Sequence, residues 1–505
     1  MRHYDLMIIG SGAAASVTLA AVYDRLKEQP PATAINMAVV EKTGEFWAGI
    51  PYGYRSSVNS LIITCVLDFV HEQERPAFFA WLKENKDVWA THISKNGGIT
   101  GERWLEKNLP LIDQDRWDLV FIPRFVFGLY LNDKLRTLID DAEQRGWLKM
   151  TLIKAEAIDV NPNEGGYNVI LELPDNNTET VHTKKLVVAA GSAPVKQLCT
   201  GNDPHYTYIN DIYDPALSEN LVTLNKALSG KNSSGNILVI GSNASSIELL
   251  YLLEGRPELR AHLKKIVIIS TSGILPYHIS TEKLPVHPMP AIDAIKAGGK
   301  YTIKSLSEAA ASDIKLALKD GANMEYIATI INNTIQLMDP LSDQEKKEFY
   351  CIYGIKLRDS FRRSGPEYKG GAQVFIETQQ LHLLKGRFNT VSSSDAEAVL
   401  NYTDVVTGSS GNYDEPFAAV INCTGSDDLQ RSSSRLIYNL INKKICTQNL
   451  SGKGIEVTEL FEAAPNLYIM GPLLGGNVNK LIHFWQLENV ARLTTLSPYL
   501  AKELV

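Results

Sequence analysis

Cysteine is scarce and scattered in this chain. Its five cysteines, Cys65, Cys199, Cys351, Cys423 and Cys446, lie too far apart in sequence for a Cys-x-x-Cys pair or a metal knuckle. That excludes a local dithiol centre and fits a reducing cytoplasm, the expected compartment. Buried or indifferent thiols are the plain reading of all five. Basic excess is also lacking. Lys and Arg number 50 against 57 Asp and Glu, a formal net charge of -7, so no electrostatic footprint for nucleic acid or an anionic membrane is present. No apolar run approaches the length of a bilayer crossing. No repeat of solenoid length is visible. No Ser/His/Asp triad, carboxylate pair or metal-ligand spacing stands out, and no metal is expected. Arg2, His3 and the apolar residues after them loosely resemble a leader peptide. Asp5 weakens its positive region, and Gly10 and Gly12 interrupt its apolar part, so none is expected.

What is present is a motif met twice. Leu6-Met7-Ile8-Ile9-Gly10-Ser11-Gly12-Ala13-Ala14-Ala15 reads as a strand, a glycine turn and a helix start. Ile237-Leu238-Val239-Ile240-Gly241-Ser242-Asn243-Ala244-Ser245-Ser246 reads the same way. Such a turn holds one dinucleotide pyrophosphate, because glycine admits a close backbone and the helix start offers unpaired N–H groups. Two turns suggest two dinucleotides, and the usual reason to hold two is hydride transfer from a nicotinamide to a flavin. At 505 residues the chain is long enough for two or three structural units.

Along the chain, residues 6–9 and 35–40 read as buried strands flanking a helix over 13–26. Glu41 ends the second strand, where a carboxylate can accept from both ribose hydroxyls. A glycine–aromatic loop over 43–59 precedes a mixed helical region that runs to about residue 147. Strands are expected over 152–160, 167–173 and 186–191. A polar, glycine-rich linker over 230–235 leads into the second turn, with its next strand over 266–270. Residues 302–363 read as an inserted helical cap, 374–402 as strands, 418–425 and 467–472 as strands ending on glycine, and about 480–500 as a final helix. Flavin-type strand ends recur after the second nucleotide unit, so one unit is inserted in the other. The fold class expected is α/β, with two Rossmann-like three-layer nucleotide-binding domains and a helical insert. The FAD-binding domain would span 1–225 and 386–505, with an NAD(P)-binding domain over 226–385 whose insert covers about 300–365.

Four stretches resemble the FAD/NAD(P)-binding proteins related to flavin-dependent N-hydroxylating monooxygenases. They are the Gly10–Ala15 turn with Glu41; the loop Gly44-Glu45-Phe46 through Gly49-Ile50-Pro51-Tyr52-Gly53 with Val58-Asn59; Ile122-Pro123-Arg124 through Gly128-Leu129-Tyr130; and Ile421-Asn422-Cys423-Thr424-Gly425 with Met470-Gly471-Pro472. The lack of a close dithiol separates the chain from flavoprotein disulfide reductases. The resemblance implies an FAD-dependent, NAD(P)H-using monooxygenase. Such an enzyme hydroxylates an amine nitrogen of an amino acid or related small metabolite, by way of a flavin C4a-hydroperoxide and O2. The alternatives are an FAD/NAD(P)H oxidoreductase that inserts no oxygen, and a flavin-binding non-catalytic protein with a degenerate nicotinamide site. Asn243, standing where a middle glycine is usual, keeps the last alternative alive. Ser270 ends the second strand where NAD-selective sites place an acid, which favours NADPH and leaves NADH open.

The cofactor set expected is Gly10, Gly12, Ala13, Ala14, Ala15, Glu41, Lys42, Trp47, Gly49, Tyr52, Arg124, Gly191, Gly241, Asn243, Ala244, Ser245, Ser270, Gly425, Gly471 and Asn477. Gly191 and Gly425 read equally as simple turn glycines. Arg124 could anchor a phosphate or substrate carboxylate, or form a structural ion pair inside the FAD domain. The turn over 471–479 is expected to precede a helix whose N-terminal dipole faces the reduced flavin. Asn59 and His483 are the candidate catalytic residues: by resemblance Asn59 lies against the flavin, where it would hydrogen-bond a peroxy oxygen, and His483 reads as a substrate-pocket residue or as part of a packed helix face. Arg358 and Arg362 could clamp an acidic substrate or belong to a solvated helix face. A small-molecule amine is the expected partner, and a homo-oligomer is left open.

Overall fold

The computed structural model describes residues 1–505 except 200–202, 204, 231–232, 279–287, 321–323, 359–361, 395–396, 484 and 486–488; of Tyr277, His278, Met324, Glu325, Arg358, Ser394 and Glu397 only the backbone is described. Two large sheets organise the described residues. The first has eight strands. His3–Ile9 lies between Ile35–Glu41 and Thr178–Val188, parallel to both, and Leu148–Lys154 and Leu467–Ile469 continue the parallel run outward. The central strands carry buried apolar runs, Leu6 to Ile9 and Met37 to Val40, because helices cover both faces of a parallel sheet. A hairpin, Glu156–Asn163 with Gly166–Glu172, joins through Thr178–Val188.

The second sheet has seven strands. Asn236–Ile240 pairs in parallel with Lys265–Ser270 and Ala419–Asn422. Leu381–Ser394 continues beyond Lys265–Ser270, and Thr207–Ile209 lies beyond Ala419–Asn422. This sheet therefore draws strands from both sides of the span 226–385. The first sheet takes strands from before and after it in sequence, so the second is nested within the first. These are two Rossmann-like halves, as the repeated motif predicts.

The insert contains Pro290–Gly298, Ile303–Lys319 and Met324–Gln336, then a π-helical turn over Phe349–Tyr353 and a short helix Gly354–Arg358. It has its own core, including Ile292, Leu306, Ile314, Ile327, Ile330 and Phe349. The main core runs through both sheets.

Two expectations fail. Residues 366–377 form a helix, Pro366–Glu377, and the strand begins only at Leu381. Pro366 at the helix start and Glu367 in its first turn both favour helix initiation. The final helix begins at Val490, ten residues later than read, where the Asn489 side chain accepts from the Arg492 N–H. Asn479 accounts for the delay. Its Oδ1 accepts from the N–H groups of Leu481 and Ile482, at 2.9 and 2.7 Å, and folds that segment into a turn.

Candidate dinucleotide sites

The first turn is shaped by a close approach. Gly10 has φ +91°, and a Cβ there would lie 2.5 Å from the carbonyl oxygen of Ala189. Gly12 then caps Ala13–Glu28 with no side-chain hydrogen bond and no acid in the first turn, so this helix start presents bare N–H groups. Two distant glycines meet it. A Cβ on Gly49 would come 2.9 Å from Gly12 Cα, and one on Gly471 would come 3.1 Å from Ala14 Cβ. Three segments thus leave side-chain-free surface around one helix N-terminus, which fits a pyrophosphate.

Glu41 stands beside this cradle. Its Oε2 accepts from the Ser11 N–H and hydroxyl at 3.2 and 2.9 Å, and its Oε1 accepts from the Thr43 N–H and hydroxyl at 3.1 and 3.0 Å. The carboxylate is held rigidly, with hydroxyl donors where ribose hydroxyls would donate. Trp47 is buried at φ +74°, an unusual backbone for a bulky residue. Its carbonyl accepts from the Ser16 hydroxyl at 3.0 Å, which ties the aromatic loop to the helix start.

Other expected residues lie elsewhere. The Lys42 ammonium pairs with Glu156 at 3.1 Å on the hairpin. Tyr52 packs edge-on against Phe69 and Phe127 in an aromatic cluster. The Asn59 amide donates to the Gly97 carbonyl at 2.8 Å, at the junction of two helices. Gly191, at φ +79°, and Gly425 both border open space. Asn477 is committed to backbone groups: its amide donates to the carbonyls of Ile455 and Leu474, and its oxygen accepts from the Val457 N–H. Gly471 leads only into a three-residue 3-10 helix, Pro472–Leu474, so the expected helix dipole at this turn is absent. His483 is exposed and bridges to Val478, with its pKa lowered by partial burial and by Arg492. Arg358 ends a helix, and Arg362 is half-buried just before the strand pairing of Arg363–Ser364 with Tyr277–His278.

The second turn repeats the first. Gly241 has φ +100°, and its Cβ would lie 2.7 Å from the Cys423 carbonyl oxygen. Asn243 caps Ala244–Glu254 without a side-chain bond, and its Oδ1 is buried with no partner, an orphaned acceptor at the turn. Ala244 is exposed and Ser245 half-buried. The Ser270 hydroxyl accepts from the Ser242 hydroxyl and the Gly273 N–H, both at 3.0 Å. Lys385, in register with Ser270 on the neighbouring strand, is exposed there. Both turns therefore fit a dinucleotide.

Of its two readings, Arg124 takes the structural ion pair. Its guanidinium donates to both oxygens of Glu248 at 2.6 and 2.8 Å, in a buried cluster one helical turn from the Ala244 helix start. Burial by itself lowers its pKa, but Glu248 and the neighbouring tyrosines more than reverse this and hold it charged. The pair joins the two halves rather than lying inside one. Sequence reading missed Glu248, although an acid inside the apolar run Ile247-Glu248-Leu249-Leu250 is itself a signal.

The five thiols are unpaired, and burial pushes Cys423 and Cys446 up to about 12, so neither supplies a thiolate at neutral pH. Among the described residues no cluster of His, Cys, Asp and Glu could hold a metal, and no helix is long and apolar enough to cross a membrane.

Two glycine turns on two nested parallel sheets define the class: a two-dinucleotide flavoprotein fold. The FAD-NAD(P)-binding family profile matches residues 7–193. An uncharacterized protein of Mycobacterium tuberculosis (strain H37Rv), Rv3403c, is 33% identical over 99% of this chain and 95% of its own length. An uncharacterized Mycobacterium bovis protein, Mb3437c, matches at the same identity and coverage. The chain belongs to this FAD/NAD(P)-binding family. Its fold is similar to that of Kutzneria sp. 744 ornithine N-hydroxylase, in complex with reduced FAD, NADP+ and L-ornithine. The TM-score is 0.55 at 15% identity, with 99% of each chain covered. L-lysine 6-monooxygenase from Pseudomonas syringae gives a TM-score of 0.55 at 13% identity, again with 99% of each chain covered.

Proposed function

We propose that the chain is an FAD-dependent, NADPH-using monooxygenase that hydroxylates the amine nitrogen of an amino acid or related small metabolite. The carrying observation is the pair of uncapped helix starts, each beneath a positive-φ glycine, on nested sheets of the N-hydroxylase fold. In this reading the unit built on residues 207–422 holds the nicotinamide nucleotide, and the rest of the chain outside the insert holds FAD. The first-turn N–H groups of Ala13, Ala14 and Ala15 take the FAD pyrophosphate. Glu41 takes the ribose in exchange for its present hydroxyl donors. The N–H groups of Ala244 and Ser245 take the second pyrophosphate. Lys385 beside Ser270, with no acid at that strand end, supports NADPH over NADH, because a 2′-phosphate there meets a cation and hydroxyl donors.

Bound FAD would supply hydride acceptance and oxygen activation. The protein's task is then placement and exclusion of water. The expected partners are a small amine and O2, as the names of the ornithine and lysine enzymes suggest.

The test uses purified protein. A yellow preparation whose flavin bleaches with NADPH under nitrogen is expected. A metabolite screen would track substrate-stimulated NADPH oxidation together with product mass, and a gain of one oxygen atom assigns hydroxylation. Bleaching with no oxygen gain by any amine would assign an oxidoreductase without oxygen insertion. A colourless protein that added FAD cannot reconstitute would end the reading.

A further inference from the structure

The region between the two glycine turns is charged and buried. Glu248, on the second turn of Ala244–Glu254, is 3% exposed. Its Oε1 accepts from the Arg124 guanidinium and from the Ser60 hydroxyl, the latter at 2.6 Å, and its Oε2 accepts from Arg124 and from the Tyr213 hydroxyl at 3.2 Å. Arg124 also lies 5.6 Å from the Tyr213 ring centre. The Arg124 N–H donates to the Ser60 carbonyl at 2.7 Å, so both belong to one rigid corner of the first unit. Tyr368, whose hydroxyl donates to the Leu61 carbonyl at 3.1 Å and accepts from the Leu61 N–H at 2.8 Å, adds a second buried tie between the halves.

Placement gives the cluster its meaning. Ser60 comes just after the glycine–aromatic loop that reaches Gly12 through Gly49. Glu248 sits one turn beyond the Asn243–Ser245 helix start, and Tyr213 is tied to that helix through Glu248. One hydrogen-bonded path therefore runs from the loop at the first turn to the helix at the second. A buried ion pair is a poor source of net stability, since apolar residues of similar volume often do as well. It does impose direction and distance, which an apolar contact does not.

We infer that Arg124 and Glu248 are positioning residues that set the separation and angle of the two dinucleotide turns. This rests on the function proposed above. Hydride passing from one nucleotide to the other (two electrons and one proton, leaving the reduced nicotinamide for the flavin) needs its carbon and acceptor held within about 3–3.5 Å. The pair exchanges no proton or electron in this event.

The test separates positioning from stability. Arg124→Met/Glu248→Met replaces the pair with apolar side chains of similar reach. The double variant, in which the Ser60 and Tyr213 hydroxyls lose their acceptor, should melt somewhat lower but keep its flavin content and NADP+ affinity, while anaerobic flavin bleaching by NADPH slows by about 10²-fold, as expected for a displacement near 1 Å. Ser60→Ala, which removes one donor, gives a smaller slowing and serves if the double variant does not fold. Pulsed dipolar distances between spin labels on the two units, which register ångström shifts, should move or broaden in the same variants. Bleaching at the parent rate in the folded double variant, or label distances identical to the parent in both variants, overturns the inference. A parent protein whose flavin neither NADPH nor NADH bleaches overturns the proposed function instead, and the label distances then decide the positioning claim alone.

Discussion

The two glycine turns are built to one plan and differ most at the capping position, Gly12 in one and Asn243 in the other. In each, the first glycine has a positive φ and lies under the carbonyl of a neighbouring strand end, Ala189 over Gly10 and Cys423 over Gly241. In each, a serine in the adjoining helix donates back to the turn: Ser16 to the Gly12 carbonyl at 3.2 Å and Ser246 to the Gly241 carbonyl at 2.6 Å. The capping residues share a backbone. Gly12 has φ -72° and ψ -171°; Asn243 has φ -87° and ψ -168°. Any residue can adopt that conformation. The first glycine is thus required by the fold, whereas the second concerns only the space left for a ligand. Asn243 departs from the usual motif at the position where departure leaves the fold intact.

This separation can be broken, most severely at the first glycine. Gly10→Val and Gly241→Val each combine about 1–3 kcal/mol of backbone strain with about 1–3 kcal/mol of overpacking against a carbonyl. Both should lose cooperative thermal unfolding of the affected unit, read by calorimetry, whether or not nucleotide is added. Gly12→Val meets no such barrier, since its Cβ would touch only Gly49, with the Cα at 3.5 Å. It should fold near the parent melting temperature yet purify without flavin, and a variant with full flavin content contradicts the pyrophosphate placement.

A further difference lies in the walls of the turns, Ala189 in one and the buried thiol of Cys423 in the other. Burial pushes the Cys423 thiol from its ordinary 9.0 up to about 12. The folded state then holds this proton more tightly than the unfolded state. Its contribution is complete below about pH 9 and is lost as pH rises toward 12. Cys423→Ala should reduce the alkaline loss of stability by about one proton's worth of slope, measured by denaturant titration between pH 8 and 11. The smallest effect is expected at Asn243→Gly, which makes the second turn match the first. Stability should change by only a few tenths of a kcal/mol, while NADP+ binds severalfold more tightly by titration calorimetry. Unchanged affinity would mean that the Asn243 side chain already clears the ligand.

Local pattern was enough for the repeated strand–turn–helix units, the acid at the end of the second strand and the separate helical insert. Each of these is written in a short window, where apolar run length, glycine and helix-start chemistry act on near neighbours. The nesting of one sheet in the other was likewise legible, although of the two late strands that end on glycine only Leu467–Ile469 returns to the first sheet; Ala419–Asn422 belongs to the second. What only tertiary structure decided involves partners far apart in sequence. Gly49 and Gly471 close on the Gly12–Ala14 helix start, Arg124 faces Glu248, Lys385 aligns with Ser270, and Asn477 turns inward to the backbone of Ile455 and Val457. An arginine's motif does not say whether it meets a phosphate or a carboxylate. Burial and the charge across from it settle that, and both arise only when the two halves pack together.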